Sequence, residues 1–138
     1  MQKIFITLVL LIKIFTFSFL LETQSATAKV LFQDKSQGML YKVDTITEKL
    51  GLTWGMVFIE SDKILFTERT GKIGIISTLS GEVIYIDGGP KVRAYGQGGL
   101  LDVAVPPGYK KGNWIYFTYS KPLKRKGQIK SATTLARA

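Results

Sequence analysis

From Trp54 onward the apolar positions fall in short β-rich runs separated by turn residues, and no window carries a helical period long enough to matter. Trp54 to Ile59 (WGMVFI) is followed by the turn Glu60-Ser61-Asp62-Lys63 and then by Ile64 to Glu68 (ILFTE). Thr70-Gly71-Lys72 turns the chain into Ile73 to Ser77 (IGIIS), and Leu79-Ser80-Gly81 turns it into Glu82 to Asp87 (EVIYID). Four strands joined by tight links predict an antiparallel meander, in which each strand pairs with its sequence neighbour.

The meander then starts again. Leu100 to Val105 (LLDVAV) lies 46 positions after Trp54 to Ile59, and Ile115 to Thr118 (IYFT) lies 51 positions after Ile64 to Thr67 (ILFT). A period of that size with about four strands per unit is the signature of a β-propeller blade. A third strand of the second unit is expected near Ala132, so the fold class read here is all-β: one complete blade and most of a second. Radial blades bury their faces on one another and at least four are usual. One and a half blades are therefore expected to be a fragment of a longer gene product, or to self-associate through an open strand edge.

The first 28 residues are expected to be a helical signal peptide. Lys3 and Lys13 precede the apolar stretch Ile14 to Leu21, and Ala26-Thr27-Ala28 supplies a small-x-small cleavage site. The rival reading, one membrane span over Ile4 to Leu21, puts Lys13 near its centre at a cost of about 2.5 to 3.5 kcal/mol. Residues 29–49 then form a lead-in to the sheet region of 50–138, and the protein is expected to be periplasmic or secreted. Contact with a membrane is expected only through an uncleaved N-terminal segment.

Composition narrows the chemistry sharply. The 138 residues contain no histidine and no cysteine, which excludes a histidine general base, a thiol nucleophile, disulfides and the common zinc sites. The net charge of +9 is unevenly spread: from Lys29 to Asp102 nine basic and nine acidic side chains cancel. Beyond Asp102 stand Lys110, Lys111, Lys121, Lys124, Arg125, Lys126, Lys130 and Arg137 with no acid among them. The clusters Lys110-Lys111 and Lys124-Arg125-Lys126 lack the aromatic interleaving of a single-strand binder, so two solvated loops are expected, the second over Lys121 to Lys130, and no nucleic-acid partner.

Three stretches resemble the soluble PQQ-dependent sugar dehydrogenases, the glucose/sorbosone dehydrogenase family of six-bladed propellers: Leu52 to Phe58 (LTWGMVF), Ile64 to Ile76 (ILFTERTGKIGII) and Gly96 to Val105 (GQGGLLDVAV). Pro107, Tyr109, Asn113 and Ile115 to Ser120 echo that family's next stretch, and Leu135-Ala136-Arg137 resembles the start of its next run. The resemblance implies an oxidoreductase that oxidises an aldose at C1 by hydride transfer to PQQ, with calcium polarising the cofactor. It also implies a histidine base and further cofactor ligands from later blades. With no histidine present, this chain is expected to be inactive alone. The alternative is a non-catalytic exported binding or assembly module.

The one cofactor-binding position implied by the resemblance is Gln97, the glutamine of the GQ-x-GLL pattern, whose amide both donates and accepts. No catalytic and no metal-binding residue is assigned. Gly96, Gly98 and Gly99 are expected to shape a tight approach to a strand, because no helix comes after them that would make them a phosphate cradle. Glu68-Arg69 is expected to be structural at the blade end, and Trp54 and Trp114 to be packing anchors. Asp102 as a lone carboxylate falls short of a calcium site.

Overall fold

The computed structural model describes residues 29–138, which form nine strands in three antiparallel sheets with no helix among them. The expected signal peptide lies outside the described residues. The strands are β1 (Lys29–Ser36), β2 (Met39–Thr45), β3 (Thr53–Glu60), β4 (Lys63–Glu68), β5 (Ile73–Ser77), β6 (Val83–Ile86), β7 (Leu100–Ala104), β8 (Tyr116–Arg125) and β9 (Gln128–Arg137). They pair as a β1-β2 hairpin, a β3-β4-β5-β6 sheet and a β7-β8-β9 sheet. The two larger sheets are the meanders that the sequence rhythm predicts, each strand bonded to its neighbour in the chain.

Side-chain alternation assigns the two faces of the first sheet. Val57, Leu65, Ile75 and Ile84 stand in one cross-strand row, and Met56, Phe66, Gly74 and Tyr85 stand in the next, on the opposite face. β4 is buried from Ile64 to Glu68, because it is an inner strand and both of its faces are covered. On one side β7 lies against β3 and β4, so Leu65 and Thr67 meet Val103 and Phe117 across a crevice of about 130 Å³. On the other side Leu50 and Trp54 partly cover Phe66 and Ile76.

That second side stays largely open. Trp54, Met56 and Phe58 on β3 are 45%, 75% and 60% exposed. Trp54 is therefore not the buried anchor that its size suggests, because nothing described packs over the outer face of β3. Trp114 is also half exposed and stacks on the Arg137 guanidinium, 4.5 Å from ring centre to Cζ. Leu100 and Val103 have the opposite fate from Trp54: both are buried against the first sheet.

Two segments carry more strand than their composition suggests. Residues 29–49, read as a lead-in, hold the β1-β2 hairpin, and Lys121 to Lys130, read as a loop, continues β8 and β9 as a projecting, fully exposed hairpin. Both hairpins close on two residues with positive φ: Gln37 (47°) and Gly38 (85°) in one, Lys126 (49°) and Gly127 (75°) in the other. That backbone matches the right-handed twist of the flanking strands, which explains a non-glycine residue at the first turn position of each.

No other strand packs on the β1-β2 hairpin, and an isolated two-stranded hairpin is marginal in water. Amide hydrogen exchange is therefore expected to be ~100-fold faster across Lys29–Thr45 than across Lys63–Ser77. Equal protection in the two segments would contradict this arrangement.

Candidate functional site

The C-terminal end of β4 is where the chain gathers its buried polar groups. Thr67, Glu68 and Ser120 are the buried polar residues among those described. A buried polar group without a partner is costly, so their hydrogen bonds dictate what must lie beside them. The Thr67 hydroxyl donates to the Leu101 carbonyl and accepts from the Gly55 amide at 3.1 Å, tying β4 to β3 within its own sheet and to β7 in the next. Glu68 points to the opposite face, where its carboxylate accepts from the Gly51 amide (2.8 Å) and the Tyr85 hydroxyl (2.5 Å). Tyr85 packs edge-on against Phe66, with ring centroids 5.8 Å apart. The Tyr85 pKa is raised above its usual 10.0, first by this hydrogen bond to Glu68, then by burial and by the nearby negative charge.

Arg69 comes directly after Glu68 and reaches two strand starts at once. Its amide donates to the Leu52 carbonyl (2.9 Å), just before β3, and its carbonyl accepts from the Leu100 amide (3.1 Å), the first residue of β7. Its Nε donates to the Gly98 carbonyl at 3.1 Å. The Gly96–Gly99 turn is thus pressed onto Arg69, and at Gly99 a Cβ would overlap the Arg69 carbonyl oxygen. Ser120 closes the other side: its amide donates to the Gly99 carbonyl (2.7 Å) and its own carbonyl accepts from the Arg93 amide (2.8 Å).

Gln97 occupies the tip of this turn. Its residue is exposed, and its side-chain amide has no hydrogen-bond partner among the described residues. Nearby in the turn, the Arg69 Nε bonds the Gly98 carbonyl and the Arg93 guanidinium lies 4.6 Å from the centre of the Tyr95 ring. The loop glycines do form a tight approach to a strand, since β7 begins at Leu100. Glu68 and Arg69 bond in opposite directions, as their alternation implies, Glu68 to Gly51 and Tyr85 and Arg69 to Gly98. Asp102 is exposed, its Oδ1 accepting from the Val103 amide at 2.9 Å, and no group of three or more metal-ligating acidic, histidine or cysteine side chains exists among the described residues. The contributions of Thr67, Arg69 and Ser120 reach Leu101, Gly98 and Gly99, 34, 29 and 21 positions away, and only the recurrence of FT in ILFTER and IYFTYS hints at equivalent strand positions.

Comparison with known proteins places this geometry among relatives. The sequence pattern of the family described as glucose/sorbosone dehydrogenase matches residues 50–138. The aldose sugar dehydrogenase YliI of Escherichia coli (strain K12) is 32% identical over 80 residues, covering 57% of this chain and 22% of its own length. The apo-form crystal structure of the soluble aldose sugar dehydrogenase from Escherichia coli superposes with a TM-score of 0.54 at 30% identity, over 65% of this chain and 26% of that one. The PQQ-bound aldose sugar dehydrogenase of Streptomyces coelicolor shares the fold, with a TM-score of 0.53 at 20% identity over 81% of this chain and 34% of its own. The chain spans about a fifth of the length of the curated relatives it matches.

Two substitutions test the polar centre. Thr67→Val keeps the shape but leaves the Gly55 amide without its acceptor, and is expected to cost about 1–3 kcal/mol in urea unfolding. A loss within experimental error would show the hydroxyl to be dispensable. For Tyr85 the raised pKa fixes the sign of a pH effect: the neutral hydroxyl is the donor, so its contribution is complete below the ordinary tyrosine pKa near 10.0 and is lost as pH rises through the raised value. The stability difference between wild type and Tyr85→Phe is expected to be constant from pH 7 to about 9 and to shrink above about 10. A difference that grows with alkalinity would reverse the assignment.

Proposed function

The chain belongs to the glucose/sorbosone dehydrogenase family, and from that premise we propose that it forms the opening blades of an exported, PQQ-dependent aldose dehydrogenase and contributes one edge of the cofactor site through Gln97. The observation that carries this reading is the Gly96–Gly99 turn: an exposed, unengaged amide held on a loop pinned by Arg69 and Ser120. The donor chemistry of this edge fits PQQ. That cofactor is rich in carbonyl and carboxylate oxygens, and here the turn offers an exposed amide and carries no carboxylate of its own. Gln97 would hold the cofactor by hydrogen bonding to such an oxygen. When bound, PQQ supplies a hydride acceptor for the sugar C1, with calcium as its polarising ion.

Proton abstraction requires a base of suitable pKa within hydrogen-bond reach, and the 138 residues contain no histidine. The family resemblance implies a histidine in that role, so we read this chain by itself as positioning the cofactor and not oxidising the sugar. Export to the periplasm or beyond rests on the charged, apolar and small-residue pattern of residues 1–28. A second reading, a non-catalytic module that acts by association, draws support from the open outer face of β3.

The test is a PQQ titration of the chain with calcium present, monitored by NMR at the Gly96 and Gly98 amides, alongside a dye-reduction assay with glucose. Binding is expected to be weak, with Kd on the order of 1 mM, and Gln97→Ala is expected to weaken it about tenfold, the loss of one charge-assisted hydrogen bond. Sugar-dependent dye reduction is expected not to exceed that of free PQQ. Activity above that background would overturn the positioning role, and no shift at Gly96 or Gly98 would overturn the cofactor edge.

A further inference from the structure

We propose that Arg69 is the positioning residue for Gln97, holding the Gly96–Gly99 turn in one conformation by side chain and main chain together. The inference rests on the reading of Gln97 as a cofactor contact. Three features of the geometry carry it. First, Arg69 grips the turn twice: Nε donates to the Gly98 carbonyl at 3.1 Å, and the Arg69 carbonyl accepts from the Leu100 amide at 3.1 Å. The grips fall on either side of Gly99, so the residue next to Gln97 is fixed relative to the start of β7.

Second, the turn has been cleared of side chains where Arg69 passes. A Cβ on Gly99 would overlap the Arg69 carbonyl oxygen and come within 2.6 Å of its Cγ. A Cβ on Gly98 would come within 2.8 Å of the Ser120 Oγ. The two glycines permit an approach so close that the loop cannot swing away without breaking backbone hydrogen bonds at both ends.

Third, Arg69 is itself rigidly based. The residues before it, Thr67 and Glu68, are 0% and 3% exposed and fully engaged, and its own amide is bonded to Leu52. A planar guanidinium on such a base loses little freedom in making its hydrogen bond. Lysine at this position would keep the charge and the main-chain bonds but would offer no donor in the plane of Nε. The device converts the rigidity of an inner strand into the fixed orientation of an exposed amide, which is what a ligand contact needs if binding is not to be spent on ordering a loop.

Arg69→Lys separates this role from general stability. Amide exchange at Gly98, whose N–H closes onto Tyr95, is expected to speed up tenfold or more, while Leu65 and Phe66 in β4 keep wild-type protection. In PQQ titrations Arg69→Lys is expected to weaken binding several-fold, and Arg69→Lys combined with Gln97→Ala to be no weaker than Gln97→Ala alone, since the two act through one contact. Unchanged Gly98 exchange, or fully additive losses, would overturn the proposal. If Gln97→Ala leaves PQQ binding intact, the cofactor reading fails, while Gly98 exchange still decides whether Arg69 holds the turn. Should Arg69→Lys not fold, the wild-type chain decides between the same two outcomes: a resolved, slowly exchanging Arg69 Nε–H signal supports the clamp, and a signal averaged with the exposed arginines overturns it.

Discussion

One buried hydroxyl joins the two large sheets. Thr67 sits on an inner strand with no exposed surface, and its side chain meets the main chain of β3 on one hand and of β7 on the other. Apolar packing of Leu65, Val103 and Phe117 supplies attraction between the sheets but has no direction of its own. The hydrogen bonds of Thr67 do, because a buried amide or carbonyl tolerates little displacement of its partner. They set how far β7 slides along β4. The neighbouring Glu68 and Arg69 extend the same fixed point to Gly51, Leu52, Gly98 and Leu100.

The convergence explains why the stretches that identify the family are short and far apart in sequence. TWG begins β3, FTER ends β4, GQGGLL runs into β7, and FTYS lies in β8. Each brings one part of the same joint: small residues where backbones approach, a hydroxyl or carboxylate where amides need acceptors, and an arginine where a carbonyl needs a donor. Gln97 is the part that faces outward, carried on a turn that the others hold.

The strand rhythm of residues 53–86 is legible because turn formers and β-branched runs alternate cleanly there, and the resulting sheet order needs no long connection. The second sheet is legible only in its apolar half. Lys121 to Lys130 looks like a loop because charged residues and Pro122 carry no strand signal, yet the Lys126-Gly127 turn keeps the two strands paired to their tip. The β1-β2 hairpin is hidden for a similar reason, its Gln37-Gly38 turn being weaker as a signal than an asparagine-glycine pair. Trp54 reads as an anchor by its size, but size argues for burial only where a neighbour exists to supply it. At the turn, the glycines of the GQ-x-GLL pattern signal a tight approach to β7, whereas the grip of Arg69 on Gly98 spans 29 residues and has no local signature.

The central claim is that Thr67 bridges two sheets. The direct measurement is the set of nuclear Overhauser contacts made by the Thr67 methyl group in the isotopically labelled chain. Cross-peaks to both Gly55 and Leu101 are predicted, since the hydroxyl on the same carbon bonds both residues. A cross-peak to Gly55 without one to Leu101 would mean that β7 is not fastened there, and that the glutamine turn is built on something else.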